Sequence, residues 1–218
     1  MFLSLNTSMD WIIKSTVKLD AILPIVDQLT NTLDKFKYQN HSETGDYFTN
    51  SSGIRLRRST RGLGGQQWEL HGCREQGFQD LVMALKQKVK DEFNKKFDKD
   101  IVLSCVGAWT VKGQEHSYHT LHHHHRRYAN RPESAPKGGK NFISVVTYLH
   151  VPKRRWDGDG AFYFAQLEDG ILVAHHLDPE PGTFVIMPSN MLHGAYPQPA
   201  GLRQTLNLDF EWKLDDKE

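Results

Sequence analysis

The chain has 218 residues, a formal net charge of +1 and 38% hydrophobic residues. That length fits one domain, or one with an arm, and can bury a core without disulfides or a structural metal. Cys73 and Cys105 are too few for a secreted disulfide framework and favour a reducing, cytoplasmic compartment. No apolar run approaches the ~20 residues of a membrane span. The first thirteen residues lack a basic leader and carry Asp10, which speaks against a signal peptide. Near-zero net charge argues against a generic nucleic-acid binder, leaving only local basic patches for that role.

The predicted elements follow in chain order. Asp10 to Lys18 reads as a short strand. Leu19 to Phe36 has apolar residues at helical spacing, with Pro24 in its first turns, where a missing N–H is tolerated. Tyr38 to Gly65 is polar and glycine-punctuated and reads as a long loop, with room for a short strand at Ile54 to Arg57. A second helix is expected from Glu75 to Phe97, with Phe78, Leu81, Val82, Leu85, Val89 and Phe93 on one face. Beyond residue 100 the pattern changes to short β-branched and aromatic runs separated by Gly and Pro. These are Ile101–Val111, Phe142–Val151, Ala161–Gln166, Ile171–His176, Thr183–Met187 and Thr205–Trp212. Helices followed by short strands predict an α+β chain. Residues 1–100 are helical and loop support, and 101–212 form a small barrel or jelly roll within a single domain, 1–218.

Histidine is the unusual count. Six of twelve lie between His116 and His125, where even scatter gives about half of one. Histidine is the commonest metal ligand, but such a run also makes a solvated loop, and composition alone does not choose. If Ser117 to His124 is a strand edge, His122 and His124 project from one face and His123 and His125 from the other. A helix would instead pair His119 with His123. A second stretch, Pro181 to Gly194, places His193 after an apolar strand and a Pro188-Ser189-Asn190 corner, where it suits a third ligand or is a polar strand end. A third stretch, Gly201 to Phe210, puts Arg203, Thr205 and Asn207 on one strand face. A guanidinium among apolar strands needs an anion, from a ligand or from a surface salt bridge.

Together these stretches resemble the iron(II)/2-oxoglutarate-dependent oxygenases, over about residues 105–212. The matching features are His122-x-His124, the strand ending Tyr148-Leu149, the turn Asp157-Gly158-Asp159-Gly160, Pro181-Gly182-Thr183, Pro188-Ser189 before His193, and Arg203-x-Thr205 ten residues beyond it. The branch most similar also carries equivalents of Trp109, Gly113 and Ser117-Tyr118. The resemblance implies a double-stranded β-helix, a jelly-roll or cupin-like barrel. It implies iron(II) on His122, His124 and His193, and 2-oxoglutarate on Arg203, Thr205 and Tyr148. The reaction implied couples O2 and decarboxylation of 2-oxoglutarate to succinate with oxidation of a C–H bond on a protein side chain or small molecule.

The chain departs from the family where most members have His-x-Asp/Glu: position 124 is histidine, so the two-histidine, one-carboxylate triad lacks its carboxylate. A register with His119 first and Leu121 third would resemble the halogenase variant instead. A non-catalytic metal-binding jelly-roll module is the alternative from another class. A cupin-type metalloenzyme without 2-oxoglutarate is a third reading, against which Arg203 argues. Basic loops at Arg55 to Arg61, Arg126 to Lys140 and Lys153 to Arg155 leave open an anionic substrate; Gly62 to Gly65 reads as a loop or a lid hinge.

Overall fold

A computed structural model describes residues 11–31, 37–41, 45–58, 62–124 and 142–215. The N-terminal elements are β1 (Ile13–Thr16), α1 (Leu23–Thr30), β2 (Lys37–His41), β3 (Gly45–Thr49), β4 (Arg55–Arg58), β5 (Gly62–Glu69) and α2 (Gln76–Phe97). They are followed by β6 (Ile101–His122), β7 (Phe142–His150), β8 (Phe162–Glu168), β9 (Ile171–Leu177), β10 (Thr183–Pro188), β11 (Leu192–Ala195) and β12 (Arg203–Leu214). Helix α2 matches its predicted span and buries the six expected apolar residues. Helix α1 is shorter than its pattern and carries Pro24 in its first turn.

The strands form two sheets that share β6. One runs β1-β10-β7-β12-β6-β5-β4-β3-β2; the other branches from the C-terminal part of β6 through β11 and β8 to β9. Up to Gly113, β6 pairs with β12, and at His119 and His122 it pairs with β11. The switch falls near His116, whose φ of 63° is rare for a residue with a side chain. This is the double-stranded β-helix that the sequence implied, with all pairs antiparallel.

Alternation on β12 divides the interior in two. Leu206, Leu208, Phe210 and Trp212 face outward from the barrel and join the α1 and α2 side chains in the main core. Arg203, Thr205, Asn207 and Asp209 occupy the opposite face, inside the barrel. Val146, Tyr148, Phe162, Phe164, Val185, Met187 and Met191 line that interior with a second apolar cluster. At Gly182 the chain turns with φ +87°, and a Cβ there would sit 2.8 Å from the Val17 carbonyl oxygen.

The expectation of a loop from Tyr38 to Gly65 is corrected. Strands β2 to β5 form an antiparallel meander that extends the shared sheet past β6. The Gly62–Gly65 stretch opens β5 and pairs with β6, so it is no hinge. Such strands need not bury both faces, and polar, glycine-containing sequence hides them. Leu33, Arg61 and residues 125–141, with the His125 reading and the second basic loop, lie outside the described residues. No helix among the described residues is long and apolar enough to cross a membrane. Both cysteines are free thiols, and burial pushes Cys105 up to about 11, so it stays protonated at neutral pH.

Candidate metal centre

His122, His124 and His193 meet where the end of β6 pairs with β11, each with a ring nitrogen within 4.8 Å of those of the other two. Strand register brings them together. His193 on β11 lies directly opposite His122 on β6, so the two share a face. His124 follows just beyond the strand end, where its N–H donates 2.8 Å to the Ser189 carbonyl. Ring centroids are 4.4 Å apart for His122 and His193, 4.9 Å for His124 and His193, and 5.3 Å for His122 and His124.

The hydrogen bonds fix the tautomers. Nδ1 of His122 lies 2.7 Å from the Thr120 carbonyl, and Nδ1 of His193 lies 2.8 Å from the Met191 carbonyl. A carbonyl only accepts, so each Nδ1 carries the proton and each Nε2 keeps its lone pair. His124 does the same with a carboxylate: Nδ1 lies 3.0 Å from Asp209 Oδ1 and 2.9 Å from Ser144 Oγ. Ser144 donates to Asp209 at 2.7 Å and stands 2.9 Å from Ser189 Oγ. Asp209 is fully buried. The structure thus brings together His122 and His124, the pair expected at i and i+2, with His193. Leu121 is 42% exposed and His119 is not in the cluster.

On the same inner face lies Arg203, 6% exposed. Its guanidinium donates to the carbonyls of Gly160 (3.2 Å), Tyr196 (3.3 Å) and Ser117 (3.3 Å). Among the described residues no carboxylate pairs with it, which removes the surface-salt-bridge reading. Burial pulls its pKa below the ordinary guanidinium value, as expected of a cation without a counter-anion. Tyr148 lies directly opposite Thr205 across the β7–β12 ladder, and burial pushes its hydroxyl far up, keeping it a donor. Thr205 Oγ1 accepts from Asn207 Nδ2 at 3.0 Å.

Asp209, Ser144 and Gly194 escaped the sequence reading. Asp209 was legible in principle, since the alternation Arg203, Thr205, Asn207 reaches it one step further. Gly194 was not. A Cβ on Gly194 would lie 2.5 Å from the Tyr163 hydroxyl and 2.7 Å from the His119 carbonyl oxygen. Gly194→Ala should therefore push β11 off β6 beside His193 and weaken metal affinity at least about tenfold with the fold retained. A chelator-competition titration alongside circular dichroism checks this. The third basic loop is largely neutralised: Arg154 pairs with Asp178 at 3.0 Å and Arg155 with Asp159 at 2.9 Å. Arg155 holds the Asp159 carboxyl below the usual range, and neither Asp157 nor Asp159 belongs to the metal cluster.

No family model matches the sequence, and no curated protein matches it. Solved structures do share the fold. SnoN, a non-heme α-ketoglutarate-dependent epimerase of nogalamycin biosynthesis, superposes with a TM-score of 0.60 at 9% identity, covering 92% of this chain and 77% of that one. A Trichoplax adhaerens prolyl hydroxylase, solved with a hypoxia-inducible-factor peptide, gives 0.55 at 12% identity, covering 93% and 84%. A Burkholderia pseudomallei member of the 2OG-Fe(II) oxygenase family gives 0.54 at 14%, covering 93% and 86%. The chain thus has the fold of the iron(II)/2-oxoglutarate oxygenases.

Proposed function

We propose that the chain is an iron(II)/2-oxoglutarate-dependent oxygenase acting on a C–H bond of a protein side chain or small molecule. Arg203 carries the reading: a buried cation without a carboxylate partner among the described residues, on the same barrel face as three histidines whose ring nitrogens converge within 4.8 Å of one another. Histidine nitrogens suit iron, and the donor set leaves open positions for a bidentate ligand. Iron with 2-oxoglutarate and O2 supplies the oxidising power, and the protein supplies binding, orientation and electrostatics.

The chain's own residues divide that work. His122, His124 and His193 hold the metal in fixed tautomers. Arg203 offers a two-pronged donor to the far carboxylate of 2-oxoglutarate, and Thr205 and Tyr148 add hydroxyls. Val146, Phe162, Phe164, Val185 and Met187 exclude water between them. Asp209 stands behind His124 and makes that imidazole a stronger donor, which offsets the missing ligand carboxylate. The neighbours support the cofactor choice. One viral prolyl hydroxylase is a 2-oxoglutarate complex, and HygX from Streptomyces hygroscopicus holds nickel and 2-oxoglutarate.

The test is anaerobic addition of iron(II) and 2-oxoglutarate, expected to give a weak visible charge-transfer band, followed by succinate release in air. Metal binding without the band and without succinate supports the second reading, a non-catalytic metal-binding module, which position 124 being histidine favours.

A further inference from the structure

Gln166 is 5% exposed, and its Nε2 has no hydrogen-bond partner among the described residues. Its position gives that orphan donor a meaning. On β8, Phe164 lies opposite His193 of β11, so Phe164 and, two residues on, Gln166 share the face that carries the metal ligand. Gln166 therefore stands roughly 7 Å along the sheet from the His193 level, on the side away from Arg203, which meets the Gly160 and Tyr196 carbonyls at the other end of these strands. Across the β8–β9 ladder it meets Val173, and the same face continues to Glu168 opposite Ile171, which is 68% exposed. Phe164 below it stacks on His175 at 5.3 Å.

We propose that Gln166 orients the primary substrate by donating from Nε2 to a neutral amide carbonyl, with an apolar group of the substrate against Val173 and Ile171. This rests on the oxygenase reading and deepens it. A buried donor left unpaired costs free energy that an incoming acceptor recovers. The acceptor is neutral because an uncharged amide among apolar side chains cannot compensate an anion. Glu168, on the same face one step further out, is paired with His175 Nε2 at 2.5 Å, so these two charged or polar groups satisfy each other and the Gln166 amide is the donor left without a partner. The ligand chemistry is a carbonyl flanked by a branched aliphatic group, as in a peptide segment or a small aliphatic amide.

The experiment uses the full chain loaded with zinc and follows the Gln166 side-chain NH2 signal by 15N–1H NMR, assigned by its loss in Gln166→Leu. N-acetylvaline N′-methylamide, a peptide mimic, and isobutyramide are the two amide probes, with isovalerate as the matching anion. The peptide mimic should move the signal and isovalerate should not. Isobutyramide moving it as far assigns the site to small amides, and a larger shift with the peptide mimic assigns it to peptide segments. Gln166→Leu and the near-isosteric Gln166→Met, neither of which can donate, should each weaken the peptide mimic about tenfold. Zinc affinity should be unchanged in both. An unmoved signal, an equal shift with isovalerate, or unchanged affinity in Gln166→Met overturns the proposal. Absence of succinate release from the iron-loaded wild type overturns the oxygenase reading instead, because the NMR arms do not depend on turnover.

Discussion

Arg203→Ala is expected to weaken 2-oxoglutarate binding about 100-fold while leaving metal affinity within a few-fold of the wild type. Two charge-assisted hydrogen bonds to one carboxylate are together worth about 3 kcal/mol after desolvation, which is roughly that factor. The structure adds a second consequence. Arg203 ties together the carbonyls of Ser117, Gly160 and Tyr196, which come from three separate segments. Alanine therefore also lowers the melting temperature, and an affinity loss alone does not separate the two roles. Arg203→Lys does. Lysine keeps the charge but presents a point donor in place of the planar fork. Cosubstrate affinity should recover only in part, with the metal site intact. Anaerobic titration of 2-oxoglutarate against the iron-loaded variants, with parallel metal competition, gives both constants. If alanine abolishes metal and cosubstrate binding together, Arg203 is a structural clasp and the oxygenase reading loses its main support.

What the sequence made legible followed physical scale. Helix α2 and the strands from Ile101 onward bury whole faces, so their periodicity survives in composition. The meander β2 to β5 carries Gly45, Gly53, Gly62 and Gly65 in polar surroundings, and only its pairing to β6 reveals it. In sequence, strand β6 reads as two pieces, Ile101–Val111 and the histidine stretch, because Gly113 and His116 interrupt the pattern. In the fold they are one strand that changes partner there. His122, His124, His193 and Arg203 were legible because their chemistry is rare in a strand. Asp209, Ser144, Gly194 and Gln166 are ordinary residues in sequence. Their roles arise from register alone: Ser144 lies opposite Asp209, and Phe164 opposite His193.

His124→Asp, which would give the chain the His-x-Asp motif of most iron(II)/2-oxoglutarate oxygenases, is expected to damage the site. In this chain a carboxylate stands behind His124, with Asp209 Oδ1 3.0 Å from its Nδ1. Asp209, fully buried, accepts from His124 and Ser144 in one pocket that Trp109 closes at 5.2 Å from the His124 ring. An aspartate at 124 removes the donor from Asp209 and sets a second carboxylate beside it. Two carboxylates in one buried pocket cannot both stay ionised cheaply, and breaking a buried pair costs about 3–5 kcal/mol. Asp209→Asn alone keeps an acceptor for His124 but removes the charge, and should weaken metal binding about 10- to 100-fold. The double variant His124→Asp/Asp209→Asn returns one carboxylate to the site and relieves the repulsion. It should bind metal more tightly than either single variant. Iron(II) or zinc affinity and melting temperature for the four proteins of that cycle measure the coupling. Additive losses would show that Asp209 acts on the fold and not through His124.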